Sequence, residues 1–387
     1  MAALRVAFVS QSGDVTGGAE ESLALLLAHL PHDIDPRVVL FGDGAYARRL
    51  RELGLPVTIA PLAPRSAHAT RERFARTALG AAGDVERLRR VLRELDVDVV
   101  HTNSVKAHVL AAPAARLAGR AAVMHLRDIL TGTGRGVLRA VARAASRERI
   151  AISQAVADAY GLAHTSVIYN PLDLDAYRDL PDRAAARRAL GLPEAGTIVG
   201  LVGRINRWKG HVAFLDVAAR LAGRDGVTFA IVGEPRFRDD DFAAELRARV
   251  AALGLRERVR FVPWVADPRA VFAALDVNCN CSVREPLGRT ILEAAACGVP
   301  SVAFDDGGPA EIVPASGGIV VRAGDVSAFA GAVATLLDAA NDASARAARR
   351  ASADAYGTVR HAAAVASVLR RAAATREPYA LAERSAV

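Results

Sequence analysis

The chain has 387 residues, of which 52% are hydrophobic and 24% are charged. This composition excludes a disordered or fibrous protein, and the length predicts two domains of about 100–200 residues each. Neither an 18-residue apolar run nor a cleavable signal pattern is present, so we expect a cytoplasmic protein without a transmembrane helix. The three cysteines lie in apolar stretches without zinc-site spacing and are predicted to be buried and free.

The charge is unevenly distributed along the chain. The formal net charge is +8, and residues 65–149 contain 17 basic and 8 acidic residues, so this segment alone carries +9. Such a segment can bind a phosphorylated ligand, or it can hold the protein at the inner face of an anionic membrane as a peripheral protein. Solvated helix faces explain the charge equally well. Aromatic residues make up only 5% of the chain, so no nucleic-acid partner is expected. Only two of the 50 basic residues are lysines, Lys106 and Lys209, which singles out both positions.

Apolar runs alternate with helical patterns through the first half of the chain. Strands are predicted at 4–10, 37–41, 57–60, 97–101, 121–126, 149–153 and 166–169. Helices are predicted at about 18–30, 44–53, 84–95, 105–118 and 135–147. Near-continuous apolar strands that alternate with helices predict a parallel sheet covered on both faces.

The pattern pauses at 171–195 and then begins again. Strands follow at 197–203, 227–233, 258–262, 276–281, 300–304 and 318–321, and helices at about 210–222, 239–253, 268–274, 288–297 and 325–338. The predicted fold class is therefore α/β, with two doubly wound Rossmann-like domains at 1–174 and 175–357. Ligands of such sheets bind beyond the carboxyl ends of the strands, so we expect a central cleft across which the domains face each other. The C-terminal stretch 358–387, with a helix to about 375, can pack back on the first domain.

Two strand-to-helix turns have the composition of anion-binding sites. Gly17 and Gly18 follow the first strand, where backbone N–H groups can approach an anion, although a tight turn explains the pair as well. In the second domain Gly203 ends a strand, and Arg204 and Lys209 follow it five residues apart. An arginine fork and a lysine ammonium can together bind one diphosphate.

The segment from Glu285 to Glu293 has the most specific pattern. Gly288 and Arg289 stand at the predicted start of a helix, whose N-terminal amides can receive a phosphate. Eight residues correspond to ~80° around a helix, so the two glutamates do not share a face and can contact different parts of one ligand. Acidic residues near a helix start also have a purely local explanation in the helix dipole.

Together these segments resemble the retaining glycosyltransferases of family 4, which have the GT-B fold. The resemblance rests on Glu285–Glu293, on Gly203–Gly210 upstream and on Gly307–Ile312 downstream. Further matching segments cover nearly the whole chain in order, namely Gly17–Glu20, Asp98–Asn103, Ile168–Asp173 and Phe261–Val265. Leu287 stands where the family usually has Phe, and Pro263 stands where Gly is common, which leaves the nucleotide base open.

The resemblance implies a role for each matching residue. Arg204 and Lys209 would bind the donor diphosphate beside Gly203, Glu285 would hold the donor sugar and Glu293 the ribose. The remaining donor contacts would be Leu287, Gly288 and Arg289 at the phosphates, Gly17 and Gly18 on the sugar side, and Val262 and Trp264 beside the base. His125 matches the family histidine that faces the donor sugar, although a histidine at a strand end is often structural. The predicted catalytic residues are Arg204, Lys209, Glu285 and His125.

The implied reaction moves a sugar from a nucleoside diphosphate-sugar to an acceptor hydroxyl with retained anomeric configuration, in polysaccharide or glycolipid synthesis. The acceptor would be a glycan, a lipid-linked sugar or a small molecule. Neither a metal nor a cofactor is expected, because protein cations would neutralise the leaving diphosphate. Two alternatives stay open at this point, a sugar-nucleotide 2-epimerase of the same fold and a non-catalytic glycosyltransferase-like binding protein.

Overall fold

The computed structural model describes residues 3–14, 17–62, 71–235, 239–339 and 342–374, with side chains described for all of these except 71–79. The chain divides into two compact units. Unit 1 comprises Met1–Pro171 and Thr358–Val387, and unit 2 comprises Leu172–Gly357. Residues 65–70 of the basic segment and 375–387 of the C-terminal stretch lie outside the described residues.

Strands and helices alternate along almost the whole described chain. The strands are β1 (Leu4–Ser10), β2 (Ile34–Leu40), β3 (Val57–Ile59), β4 (Val99–Thr102), β5 (Ala121–Leu126), β6 (Glu148–Ala151), β7 (Thr165–Val167), β8 (Thr197–Val202), β9 (Val227–Val232), β10 (Val259–Val262), β11 (Val277–Asn280), β12 (Ser301–Asp305) and β13 (Ile319–Arg322). The helices are α1 (Gly18–Ala28), α2 (Ala45–Glu52), α3 (Arg71–Glu94), α4 (Val105–Leu117), α5 (Gly132–Ala145), α6 (Gln154–Tyr160), α7 (Arg183–Ala189), α8 (His211–Arg220), α9 (Asp240–Ala252), α10 (Pro268–Ala274), α11 (Arg289–Ala296), α12 (Pro309–Ile312), α13 (Val326–Asp338), α14 (Ala343–Ser352) and α15 (Thr358–Ala374).

Each unit contains one parallel sheet. The strand order is β3-β2-β1-β4-β5-β6-β7 in unit 1 and β10-β9-β8-β11-β12-β13 in unit 2. In both sheets the chain returns to the middle, so that β1 lies beside β4 and β8 lies beside β11. Such a reversal of strand order opens a crevice at the carboxyl ends of the two central strands. The α/β fold class predicted from the sequence, with two Rossmann-like sheets, is confirmed.

Helix α15 completes the core of unit 1. Its residues Ala362, Val365 and Leu369 are fully buried in the same apolar cluster as Val6 and Phe8 of β1. The helix packs against β4, β5 and β6. The C-terminal helix of the described chain therefore packs on the sheet that contains the N-terminal strand β1.

All of the predicted strands are present, and the differences concern helices. Helix α3 begins at Arg71 and not at about 84, and it runs through Gly80 and Gly83, because a glycine weakens a helix by about 1 kcal/mol without ending it. Helices α6 and α7 have seven residues each, too few for an apolar period to repeat. Helix α14 has no buried residue, so no apolar pattern marks it in the sequence.

A buried arginine ties α7 to the sheet of unit 2. Arg187 is 2% exposed and donates to Asp276 Oδ2 at 2.8 Å. It also donates to the carbonyl oxygens of Ala274, Glu194 and Gly196 at 2.8–3.0 Å. Since Asp276 directly precedes β11, this network holds the start of a central strand.

We expect Arg187→Met to destabilise unit 2 by ~3 kcal/mol, because the substitution removes a buried guanidinium and leaves the partly buried Asp276 carboxylate and three carbonyl oxygens without these donors. The measurement is the midpoint of guanidinium-induced unfolding. The matched control is Arg188→Met, since Arg188 is 58% exposed in its ion pair with Glu194; that change should cost less than ~1 kcal/mol. Equal shifts for both variants would contradict the structural role of Arg187.

Candidate functional site

The loop after β8 carries a lysine that is held on two sides. Lys209 Nζ lies 2.6 Å from Glu285 Oε2 and 4.1 Å from the ring centroid of Trp208. The Lys209 side chain is 17% exposed and that of Glu285 is 8% exposed, so the ion pair is largely shielded from water. Sequence patterns alone do not single out Trp208, although it is one of only two tryptophans and stands beside one of only two lysines.

The backbone of this loop passes very close to a neighbouring strand. Gly210 has a φ of 74°, and a Cβ at this position would overlap the carbonyl oxygen of Cys281. Asn206 Oδ1 accepts a hydrogen bond from Lys209 N at 3.2 Å and so fixes the 3₁₀ turn before α8. Gly203 lies beside the aliphatic part of the Lys209 side chain. These contacts bring the lysine to the carboxyl end of β11.

Glu285 is fixed by backbone pairing with the turn after β12. Its N–H donates to Asp306 O at 2.8 Å, and Gly308 N donates to Glu285 O at 2.9 Å. Gly307 has a φ of 111°, and a Cβ there would overlap the Glu285 carbonyl oxygen. The glycine pair that follows β12 therefore supports the position of this glutamate.

Helix α11 begins directly after this loop. Gly288 caps it with a φ of 95°, and Glu293 lies in its second turn, as the predicted helix start at Gly288 implies. Arg289 Nη2 donates to Glu293 Oε1 at 2.9 Å, so the Glu293 carboxylate already has one cationic partner on its own helix. Leu287 is 1% exposed, which makes its side chain part of the core.

A second cation lies in the same loop as Lys209. Arg204 is partly exposed and has no ion pair within the described residues. A shallow recess at the carboxyl ends of β8 and β11 is lined by Leu201, Val202, Lys209, Cys279, Asn280 and Ser282. The charge of Lys209 is balanced by Glu285, whereas Arg204 has no ion pair within the described residues. Arg204 therefore gives this end of the sheet a positive potential that suits an anionic ligand.

The two residues predicted beside a nucleotide base follow a strand farther along the same sheet. Val262 is the last residue of β10, which is two strands away from β8 in the sheet order, and it is 4% exposed. Trp264 is 59% exposed. An exposed indole is available for contact with a planar ligand.

Gly17 and Gly18 lie at the carboxyl end of β1 in unit 1, where α1 begins. The backbone of Gly17 is extended, with a φ of 173°, and a Cβ added there would meet no atom within 4 Å. Neither backbone conformation nor packing among the described residues therefore requires glycine at this position. Space at the carboxyl end of a central strand is consistent with the predicted ligand contact.

Arg127 joins three segments of unit 1 that are distant in sequence. Its Nε donates to Asn103 Oδ1 at 2.8 Å, and its Nη1 donates to Asn170 Oδ1 at 2.6 Å. Its Nη2 lies 3.4 Å from His125 Nδ1. The partners are 24 and 43 residues away from Arg127 along the chain, so no local pattern reveals the network.

His125 is fully buried in this network and not at an exposed strand end. Its Nδ1 also lies 3.1 Å from His101 Nε2. Because an arginine can only donate, His125 Nδ1 is the acceptor from Arg127, and the proton of the neutral ring is on Nε2. That Nε2 is buried and has no partner within the described residues. Burial, and secondarily the charge of Arg127, lower the pKa of His125 well below 6.5, so the ring is neutral.

The cysteines lie inside the protein, as their apolar sequence surroundings predict. Cys279, Cys281 and Cys297 are buried and free. None of the helices in the described part of the chain combines the length and hydropathy needed to cross a bilayer. Across the same residues, no three His, Cys, Asp or Glu side chains are grouped as a metal site.

Two family models match the chain. "Glycosyltransferase Family 4" matches residues 16–176 and "Glycosyl transferases group 1" matches residues 196–339. The crystal structure of Anabaena Alr3699/HepE in complex with UDP is 30% identical, with a TM-score of 0.81 over 95% of this chain and 100% of that chain. The chain belongs to the family 4 glycosyltransferases. Its two Rossmann-like sheets are those of the GT-B fold.

Curated relatives of this glycosyltransferase match over shorter segments. The lipopolysaccharide core biosynthesis mannosyltransferase LpsB of Rhizobium meliloti is 33% identical over 45% of this chain and 50% of its own. The 2-deoxystreptamine glucosyltransferase of Streptomyces kanamyceticus is 37% identical over 48% of this chain and 50% of its own. The chain thus spans about half the length of the curated relatives it matches.

The buried histidines predict that this glycosyltransferase loses stability in acid. Burial lowers the pKa of His361 and His211 to about 4 and that of His108 to about 3. Their pKa in the unfolded chain is ~6.5, so their contribution to stability is complete above pH 6.5 and is lost as the pH falls toward 4. Each of these histidines should lower the free energy of unfolding by ~1.4 kcal/mol per pH unit in that window. Urea unfolding at a series of pH values measures the slope.

A matched pair of variants isolates one of these histidines. His361→Gln should reduce the slope of unfolding free energy against pH, because one group that titrates on unfolding is removed. The control is His32→Gln at an exposed position, for which we expect the slope of the wild-type protein. An unchanged slope for His361→Gln would show that His361 is not held neutral by the fold.

Proposed function

We propose that this protein transfers a sugar from a nucleoside diphosphate-sugar to an acceptor hydroxyl with retention of anomeric configuration. The observation that carries the proposal is the shielded pair of Lys209 and Glu285, 2.6 Å apart at the carboxyl ends of β8 and β11. A uridine nucleotide is the first donor to test, because Alr3699/HepE is described in complex with UDP and with UDP-glucose at 29–30% identity.

The cations of the β8 loop take the diphosphate in this proposal. Lys209 Nζ has three N–H groups, and Glu285 engages one of them, which leaves donors for phosphate oxygens. Arg204 adds a planar fork from the same loop. The first amides of α11, after Gly288, face the same anion as donors without a partner in the helix. Because these groups supply positive charge, we propose that turnover requires no metal ion and persists in EDTA.

The acidic residues contact hydroxyl groups of the donor. Glu285 has a second carboxylate oxygen for the sugar, and Glu293, held by Arg289, accepts from the ribose. Val262 and Trp264 lie beside the base. From unit 1, Gly17, Gly18 and the Nε2–H of His125 are assigned to the donor sugar; the unpartnered Nε2 supports the role of His125.

The reaction is a front-face displacement. The bond between the anomeric carbon and the diphosphate oxygen breaks while the acceptor oxygen bonds to the same face of that carbon. The acceptor proton passes to the departing diphosphate oxygen, so the step needs no protein nucleophile. Arg204 and Lys209 stabilise the negative charge that develops on the leaving group.

The acceptor and the cellular location are proposed more broadly. The acceptor is a glycan, a lipid-linked sugar or a small molecule in polysaccharide or glycolipid synthesis. We place the protein in the cytoplasm, with peripheral contact to the inner face of the membrane through the basic segment 65–149. The net charge of this segment supports the contact.

UDP should stabilise the protein in a thermal-shift screen against GDP, ADP and dTDP. A ligand at 100 times its Kd that binds only the folded state adds ~2.7 kcal/mol to the free energy of unfolding. With UDP-glucose as the probe, slow release of UDP should follow in the absence of an acceptor. Conversion of the sugar without release of UDP would instead indicate an epimerase, and binding without either reaction would indicate a binding protein.

Lys209→Ala should reduce turnover of the nucleotide-sugar by ~100-fold or more, because the variant lacks a cation at the leaving group. The matched control is Arg207→Ala in the same loop, since Arg207 is 68% exposed and is paired with Glu245. This variant should retain activity. Circular dichroism and the unfolding midpoint establish that both variants are folded. Full turnover by folded Lys209→Ala would refute the proposed site.

A further inference from the structure

The basic segment of unit 1 contains arginines that pair with acidic side chains and a stretch of arginines without any acidic residue in sequence. On α3, Glu86 pairs with Arg89 at 2.6 Å and with Arg90 at 3.5 Å. Asp96 pairs with Arg5 of β1 and with Arg120. These arginines thus have acidic partners on the protein, which reduces their attraction for an outside partner.

Helix α5 differs from these parts of the segment. No acidic residue occurs between Asp128 and Glu148, and Arg135, Arg139 and Arg143 recur at intervals of four. At 100° per residue the three arginines lie within ~80° of one another around the helix. Arg135 and Arg143 are exposed, and neither Arg135 nor Arg139 has an ion pair within the described residues.

On the solvent-facing side of α5, an exposed stripe of small apolar residues lies between the three arginines and Val137. Gly136, Ala140 and Ala144 are exposed there, and Val137 is 47% exposed. The opposite side of the helix faces the protein interior through the buried residues Leu138, Ala142 and Ala145. A helix with a cationic stripe beside an exposed apolar stripe is typical of a membrane interface.

The neighbouring helix extends the same surface. α4 packs against α5, and Arg116 of α4 donates to the carbonyl oxygen of Ala144. The next residue, Leu117, is 59% exposed. Like α5, α4 contains basic but no acidic residues. Neither helix has Phe, Tyr or Trp to stack on bases, so charge and apolar exposure favour a lipid surface over a single-stranded nucleic acid.

We propose that the α5 basic face, defined as Arg135, Arg139 and Arg143 with Val137, docks unit 1 on an anionic lipid bilayer. The proposal rests on the peripheral membrane contact within the proposed function, and it is independent of sugar transfer. Arginines pair with lipid phosphates and carry the electrostatic attraction, while Val137 and the small residues approach the headgroup region. Attraction of this kind falls with salt, since exposed charges are screened.

The test is co-sedimentation of the full chain with vesicles. Wild-type protein should partition onto phosphatidylcholine vesicles that contain phosphatidylglycerol and not onto phosphatidylcholine alone. The triple variant Arg135→Gln/Arg139→Gln/Arg143→Gln should lose on the order of 100-fold in partitioning, at about fivefold for each arginine near the surface. Its thermal shift with UDP should equal that of the wild type, which shows that it is folded and separates docking from donor binding.

A second triple variant controls for net charge. Arg48→Gln/Arg220→Gln/Arg256→Gln removes the same charge from exposed positions elsewhere, and it should partition like the wild type. Equal losses in both triple variants, or equal binding of wild type to both kinds of vesicle, would overturn the proposal. Binding to single-stranded RNA that depends on the α5 arginines, without vesicle binding, would also overturn it.

Discussion

The candidate site of unit 2 depends on one shielded ion pair. Lys209 and Glu285 belong to two loops that are 76 residues apart in sequence, and each is largely removed from water. Such a pair is stable only where the protein holds both groups at hydrogen-bonding distance, because desolvation of either charge alone is costly. The sheet order supplies this constraint by placing β8 next to β11, and Gly210 and Gly307 allow the two loops to approach their neighbours.

In the proposed function, the same pair gives a reason for two cations in the β8 loop. Glu285 already balances the charge of Lys209, so the lysine alone gives a diphosphate little net attraction at a distance. Arg204 has no ion pair in the described residues and supplies the long-range attraction. Once an anion is close, the Lys209 ammonium can donate one N–H group to Glu285 and its remaining N–H groups to phosphate. In this way the ion pair orients both the cation and the carboxylate before the donor arrives.

Local and long-range features were not equally visible in the sequence. The strands follow from apolar runs, and the predicted helix start at Gly288 places Glu285 in a loop and Glu293 in a helix. The contacts of Lys209 with Glu285 and of Arg127 with Asn103 could not be predicted from local patterns, because the tertiary fold creates them. Likewise, the role of Gly307 depends on the Glu285 carbonyl that it passes. His125 lies at the end of a predicted strand, but only the fold shows that it is buried.

The charge of unit 1 illustrates a further limit of sequence counting. A net charge of +9 over residues 65–149 describes an average, whereas an outside partner responds only to charge that the protein leaves unbalanced. The acids of α3 and of the turn before β4 balance their own neighbours. The stretch from 129 to 147 has no acid at all, so the arginines of α5 have no acidic neighbour in this part of the chain. Since the proposed diphosphate cations belong to unit 2, surface charge on α5 can change without altering the residues that bind the donor.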